Sequence, residues 1–378
     1  MKTNTLALLV GMLFLGACNS GVKSFRPGEP WPDNNGVHIN AHGGGIIFHK
    51  ESYYWFGEHK VEGKTGNLAQ AGVHCYSSKD LYNWKDEGIA LSVSEDTTNL
   101  IVKGCIIERP KVIYNAENKQ FVMWFHHELK GMGYKAAMTG LAVSNVVTGP
   151  YRYLRSVNPN RGEWPLNCPD SLSARDFGID GMKVWSAEWN QAVEEGAILQ
   201  RDFRRGQMAR DMTLFVDDDG RAYHIHSSEE NQTLHVSELT RDYQGFSGKY
   251  TRVLEGKANE APAIFKRGDK YYMISSGCTG WNPNPARSAV ADHPLGPWTE
   301  LGNPCRGTEE EMKTTFYSQS TYILPVQGKE DAFIYLGDRW MPENAIDGRY
   351  VWLPIGFEKD KPVLKWYEEW SLTDIWGE

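Results

Sequence analysis

Ala263-Ile264-Phe265, then Gly268-Asp269, then Lys270-Tyr271-Tyr272-Met273-Ile274-Ser275: this stretch decides the fold. A short apolar strand meets a turn dipeptide and returns as an aromatic-rich alternating strand, which is the signature of a β-hairpin. The returning strand has four other copies. They are Ser52-Tyr53-Tyr54-Trp55-Phe56-Gly57, Gln120-Phe121-Val122-Met123-Trp124-Phe125-His126, Arg221-Ala222-Tyr223-His224-Ile225-His226 and Asp331-Ala332-Phe333-Ile334-Tyr335-Leu336-Gly337. An apolar strand precedes each, as in Gly45-Ile46-Ile47-Phe48 and Thr321-Tyr322-Ile323-Leu324. A third strand and a polar fourth follow many of them, as in Gly72-Val73-His74-Cys75-Tyr76 and Trp84-Lys85-Asp86-Glu87-Gly88. Four short strands per unit, repeated radially, predict an all-β, five-bladed β-propeller. A β-sandwich of unrelated hairpins is the competing arrangement, and it has no need of five ordered copies.

The spacing breaks once, over about 153–207, between the second and third units. This segment reads as an insertion on one face of the propeller, because loops of that length in compact domains are usually functional. It carries Trp164, Trp185 and Trp189, candidates for a wall over a site, a helical run from Trp189 to Leu199, and a basic run from Arg201 to Arg205.

The amino terminus reads differently from the rest. Lys2 precedes an apolar stretch, Leu6 to Leu15, which ends in Leu15-Gly16-Ala17-Cys18. A basic start, a short apolar core and small residues make residues 1–18 a secretory signal peptide, too short to span a membrane. Leu15-Gly16-Ala17-Cys18 resembles a bacterial lipobox, in which Cys18 is acylated; an ordinary signal peptide with a chance cysteine is the alternative. The expectation is an exported lipoprotein held at the outer membrane, facing the periplasm or the outer surface. Residues 19–35, rich in Gly, Pro, Ser and Asn, read as a tether. Residues 36–378 read as the propeller domain, a monomer.

Composition narrows the partners. The chain of 378 residues has 48 acidic and 40 basic side chains, a net charge of -8, which lacks the basic footprint of a nucleic-acid binder. Its 14 Trp and 18 Tyr suit the stacking of sugar rings, although β-proteins also use them in strands. The cysteines beyond Cys18 have no CxxC spacing, so no zinc site is expected, and most read as small core residues.

In a propeller the first strand of each blade lines the central channel. Polar residues at the start of those strands therefore converge from distant points in sequence. This chain places such residues in every blade: His42, Glu108-Arg109, Arg210-Asp211, Asn259-Glu260 and Ser318-Gln319. Glycosidic cleavage needs a proton donor at the leaving oxygen and activation of a nucleophile opposite it. Glu260, ahead of Ala261-Pro262 and an apolar strand, is the candidate acid, since desolvation there would keep its proton near neutral pH. Its alternative is a structural carboxylate holding a loop amide. Glu108 and Asp211, each beside an Arg, read as charge-setting or sugar-binding carboxylates, or as internal salt bridges.

Seven segments carry a more specific resemblance. Ala41-His42-Gly43-Gly44-Gly45, Tyr54-Trp55-Phe56-Gly57-Glu58, Glu108-Arg109-Pro110-Lys111-Val112-Ile113, Asn259-Glu260-Ala261-Pro262, Thr279-Gly280-Trp281-Asn282-Pro283-Asn284-Pro285, Tyr317-Ser318-Gln319 and Gly337-Asp338-Arg339-Trp340 together resemble glycoside hydrolase family 43. The likeness runs from about residue 37 to about residue 370 and is greatest to the exo-β-1,3-galactanases. It implies an inverting, exo-acting hydrolase of arabinogalactan-type glycans, with Glu260 as general acid. The blade-one stretch Asn40 to Gly45 lacks the Asp base of most members. The galactanase branch uses a Gln instead, which matches Gln319. The resemblance also puts Glu58, Arg109, Tyr134, Asp211, Asn231 and Thr279 in the sugar pocket, with Glu108 near the acid and His42 beside them. The 153–207 insertion departs from the galactanase pattern and resembles a sister branch acting on α-L-arabinofuranosides or β-D-galactofuranosides. A non-catalytic glycan-binding lipoprotein is the reading from another class. No cofactor is expected; some members hold calcium in the channel, and no ligand spacing here supports one.

Overall fold

The computed structural model describes residues 21–169, 172, 178–179 and 181–377. Five sheets stand around one axis, four of them purely antiparallel, each formed by sequence-local strands. Blade one is β1 (His42–His49), β2 (Ser52–Glu58), β3 (Gly72–Ser78) and β4 (Lys85–Ser92). Blade two is β5 (Ile106–Asn115), β6 (Gln120–Glu128), β7 (Met138–Ser144) and β8 (Arg152–Val157). Blade three is β9 (Met212–Val216), β10 (Ala222–Ser228), β11 (Thr233–Leu239) and β12 (Phe246–Val253). Blade four is β13 (Glu260–Arg267), β14 (Lys270–Ser276), β15 (Arg287–Ala291) and β16 (Thr299–Gly302). Blade five holds β18 (Gln319–Pro325), β19 (Phe333–Arg339), β20 (Arg349–Glu358) and β21 (Lys361–Lys365), with the two-residue β17 (Cys305–Arg306) added in parallel at its edge. The first strands β1, β5, β9, β13 and β18 touch in that order around the channel.

The alternation seen in the sequence is incomplete for a physical reason. Each blade packs on both neighbours, so a central strand such as β14 is buried on both faces after its first residue. The apolar core is accordingly divided into five inter-blade layers. Ile46 and Trp55 meet Ile334 and Trp352 between blades one and five, and Phe56 meets Phe121 between one and two. Val122 meets Leu214, Ile225 meets Met273, and Phe265 meets Tyr335 across the other three. The fourth strand of blade one, β4, is polar and partly exposed over its first half, whereas β12 of blade three is buried over its second half.

The expected 19–35 tether is corrected from residue 25 onward. Phe25 is 2% exposed, packs on Trp370 and Trp352, and exchanges two backbone hydrogen bonds with Trp370 (2.7 and 3.1 Å). Trp31 packs on Trp55 and Trp352. Gly and Pro there mark irregular backbone, while the two aromatics seal the seam between the first and last blades. Cys18 and the signal peptide lie outside the described residues.

The insertion begins later than expected, because residues 152–157 are β8. Its helical run is two short helices, α1 (Ala187–Glu194) and α2 (Ala197–Asp202), broken at Gly196 with φ 102°. The insertion lies on the outer strand of blade three: Leu172 and Leu199 pack on Tyr250, and Arg252 donates to the Val193 and Glu194 carbonyls at the end of α1. Trp164 stacks on Phe203 and Trp189 is 2% exposed, so neither forms a wall over the site.

Candidate active site

The polar residues sit on kinks in the inner strands. Pairing slips between His42 and Gly45, between Glu108 and Lys111, and between Glu260 and Ala263. At each slip one residue is left-handed: Gly43 (φ 59°), Arg109 (φ 54°) and Ala261 (φ 53°). A bulge of this kind re-aims side chains and ends regular pairing, which turns the strand starts toward the channel mouth. Gly43 has a further constraint, since a Cβ there would lie 2.1 Å from Glu58 Oε1.

A cavity of about 380 Å³ opens at that mouth, within the usual range for small-ligand sites. Glu58, Glu108, Arg109, Tyr134, Asp211, Asn231, Glu260 and Gln319 all line it. His42 does not. It is fully buried, with Nδ1 3.2 Å from Asp338 Oδ1 and its ring stacked on Tyr350. The bulge at Gly43 turns the backbone away after it, so His42 supports the channel wall instead of facing sugar. Thr279 is also displaced, because its hydroxyl donates to the Asn282 carbonyl (2.6 Å) within its own loop. Its neighbours Cys278, Gly280 and Trp281 line the cavity instead.

Arg109 organises the centre. Nη2 donates to Asp211 Oδ2 (2.9 Å) and to Gln319 Oε1 (2.6 Å), and Nη1 donates to the Ser320 carbonyl (2.9 Å). Its backbone N–H donates to Glu58 Oε1 (3.0 Å), while the other Glu58 oxygen pairs with Lys60. Burial raises the Glu58 carboxyl pKa against the pull of Lys60, with the Glu108 charge adding to the rise. Gln319 is held at three points. Trp340 Nε1 also donates to its Oε1 (2.9 Å), and its Nε2 donates to Ser276 Oγ (2.9 Å). Both lone pairs of the amide oxygen are thus engaged, and one N–H remains.

Glu260, the candidate acid, and Glu108 occupy opposite electrostatic settings. Glu260 Oε1 accepts from Asn231 Nδ2 (2.7 Å) and faces the Cys278 thiol (3.2 Å). Burial, reinforced by the charge of Asp211, raises its pKa to about 7 against the opposing Cys278, Arg109 and Arg210. Glu108 is the reverse. Burial would raise its pKa, but the hydrogen bond and charge of His126 outweigh burial and hold the carboxyl well below the usual range. Asn67 (2.8 Å) and the Tyr134 hydroxyl (2.7 Å) also donate to Glu108 Oε1. His126 bridges Glu108 Oε2 (2.9 Å) and Glu128 Oε1 (3.0 Å); these two carboxylates overcome desolvation and raise its pKa to about 9.

Glu108, His126 and Asp211 bring ligand atoms within 4.8 Å of one another, the one such trio among the described residues. Both His126 nitrogens already donate to carboxylates, so the imidazole has no lone pair for an ion. The trio therefore does not fit a metal.

Sequence reasoning had not assigned His126, Glu230, Cys278, Trp281 or Trp340 to the cavity. Trp281 and Trp340, edge to face at 5.7 Å, form an aromatic corner beside Gln319. Both lay in the motifs quoted above, so a signal existed. Cys278 sits against Glu260 because β14 ends two residues earlier and exposes it. His126 gave no separate signal inside an aromatic strand.

Comparison with known proteins agrees with this geometry. The family model "Glycosyl hydrolases family 43" matches residues 186–354. No curated protein matches the sequence. Among solved structures, a family-43 β-1,3-galactosidase with galactodeoxynojirimycin is 50% identical, with TM-score 0.89, over 92% of this chain and 100% of that one. The exo-β-1,3-galactanase of Phanerochaete chrysosporium with β-1,3-galactotriose is 31% identical, with TM-score 0.74, over 93% of this chain and 68% of that one. The exo-β-1,3-galactanase of Clostridium thermocellum is 36% identical, with TM-score 0.73, over 92% and 66%. With half its residues shared over nearly the whole length of a family-43 enzyme, and a carboxyl-lined cavity at the propeller axis, this chain belongs to glycoside hydrolase family 43.

Proposed function

We propose that this enzyme removes terminal galactose from β-1,3-linked galactan by an inverting, exo-acting mechanism, with Glu260 as general acid. The observation that carries the reading is the position of Glu260, a carboxyl on the cavity wall whose burial raises its pKa to about 7. Asn231 and Cys278 both address Oε1. That oxygen behaves as the carbonyl, and the proton sits on Oε2, directed at the leaving oxygen. The galactosidase and galactanase relatives support galactose as the sugar. Glu108, kept ionised by His126, and Tyr134 are placed to receive sugar hydroxyls.

Gln319 orients the attacking water through its remaining N–H. A second reading concerns where the water's proton goes, because the Gln319 oxygen is already saturated by Arg109 and Trp340. Asp211 uses Oδ2 for Arg109 and the Ala261 N–H, and no described residue bonds Oδ1. Asp211 Oδ1 is the better proton acceptor of the two. Azide rescue separates the roles: a small anion replaces a lost base, so Asp211→Asn recovers turnover if Asp211 is the base, and Gln319→Ala does not.

Purified enzyme should release galactose from β-1,3-galactan and leave aryl α-L-arabinofuranosides and β-D-galactofuranosides intact. Release of arabinose or of galactose from the furanosides would move the reading to the sister branch. The address belongs to the proposal as well: an exported lipoprotein acylated at Cys18, tested by loss of palmitate labelling in Cys18→Ala.

A further inference from the structure

Among the described residues, the insertion reaches the cavity through Trp185. Trp185 is 48% exposed and adopts φ 68°. A bulky residue in the left-handed region is a genuine outlier that surrounding structure must hold in place. Two features hold it. Its ring leans on the buried Trp189 at 5.9 Å, and Ser186 immediately after it caps α1 by accepting from the Trp189 N–H.

The insertion is tied to one side of the cavity. Arg201 of α2 pairs with Glu230, and Glu230 pairs with Arg210 (3.0 Å). Glu230 lies in a turn of three consecutive left-handed residues, Glu229, Glu230 and Asn231. Glu229, fully buried, anchors that turn on His235 (2.8 Å) and on Arg252 (2.7 Å), the same Arg252 that binds the end of α1. Asn231, the last of the three, holds Glu260. Trp185, Glu230 and Arg210 therefore line the cavity beside Asn231, the residue that holds Glu260, while Trp281 and Trp340 stand beside Gln319.

In an inverting site the leaving group departs on the acid's side and water attacks from the other. We propose that the insertion builds the leaving-group subsite, with Trp185 as the platform for the galactose that follows the scissile bond. This rests on Glu260 being the acid. An aromatic face presents a C–H-binding surface to a sugar ring.

The test compares β-1,3-galactobiose, which fills both subsites, with β-galactosyl fluoride, which fills only the terminal-sugar pocket. Trp185→Ala should lower kcat/KM on galactobiose about tenfold more than on the fluoride, the scale of one aromatic contact. Trp185→Phe should recover part of that difference, and a melting temperature within a few degrees of wild type shows the fold is kept. Equal losses on both substrates, or no loss on either, would overturn the subsite. Wild-type enzyme that cleaves neither substrate would instead refute the proposed function, and the subsite with it.

Discussion

Replacing Glu260 by Gln removes one titrating group while keeping the side chain's shape and an oxygen for Asn231 and Cys278. Two consequences follow from the raised pKa. The folded protein keeps the Glu260 proton up to about pH 7, whereas the unfolded chain loses it near 4.5. Between these values the native state binds more protons than the unfolded state, so wild-type stability falls as pH rises. The difference of about 2.5 pKa units corresponds to a ceiling of roughly 3 kcal/mol. Denaturant unfolding at pH 4 and pH 8 should therefore show Glu260→Gln gaining on wild type by up to that amount at the higher pH, with little difference at the lower. On β-1,3-galactobiose the same variant should lose about 10²–10⁴-fold in kcat, the usual share of general acid catalysis. A dinitrophenyl galactoside, whose leaving group needs no proton, should suffer far less. A stability gap that stays constant between the two pH values would show that the carboxyl ionises normally and that the desolvation argument is wrong. Near-full turnover on galactobiose would refute the assignment of the acid itself.

Gln319→Ala removes bonds to Arg109, Trp340 and Ser276, and should cost about 1–3 kcal/mol in denaturant unfolding and cut kcat strongly with little change in KM. Gly43→Ala places a methyl against Glu58 in a left-handed backbone, so it should lose at least about 1 kcal/mol and most activity through displacement of Arg109. His126, raised from 6.5 to about 9, stabilises the fold fully below pH 6.5 and less as pH rises through 9. The stability gap between wild type and His126→Gln should therefore narrow over that interval by at most about 3 kcal/mol.

The propeller was legible because five aromatic strands repeat in order, each with an apolar partner before it. The converging residues were legible for the same reason, as fold topology puts every first strand on the axis. What escaped depends on local backbone geometry that composition does not encode. The bulge at Gly43 buries His42, and the hydroxyl of Thr279 turns into its own loop. Phe25 and Trp31 close the ring from a segment whose Gly and Pro content suggested a tether. Trp164, Trp185 and Trp189 look alike in sequence, yet only the strained backbone at Trp185 sends a ring toward the cavity. The environments of Glu108 and Glu260 were separable only once His126 appeared beside one and Asn231 and Cys278 beside the other.

Proton NMR during the first minutes of β-1,3-galactobiose hydrolysis tests the central claim most directly. An inverting site with Glu260 on one side of the sugar and water on the other predicts α-galactose as the first product, with the β-anomer growing in only by mutarotation. Initial release of β-galactose would contradict the account.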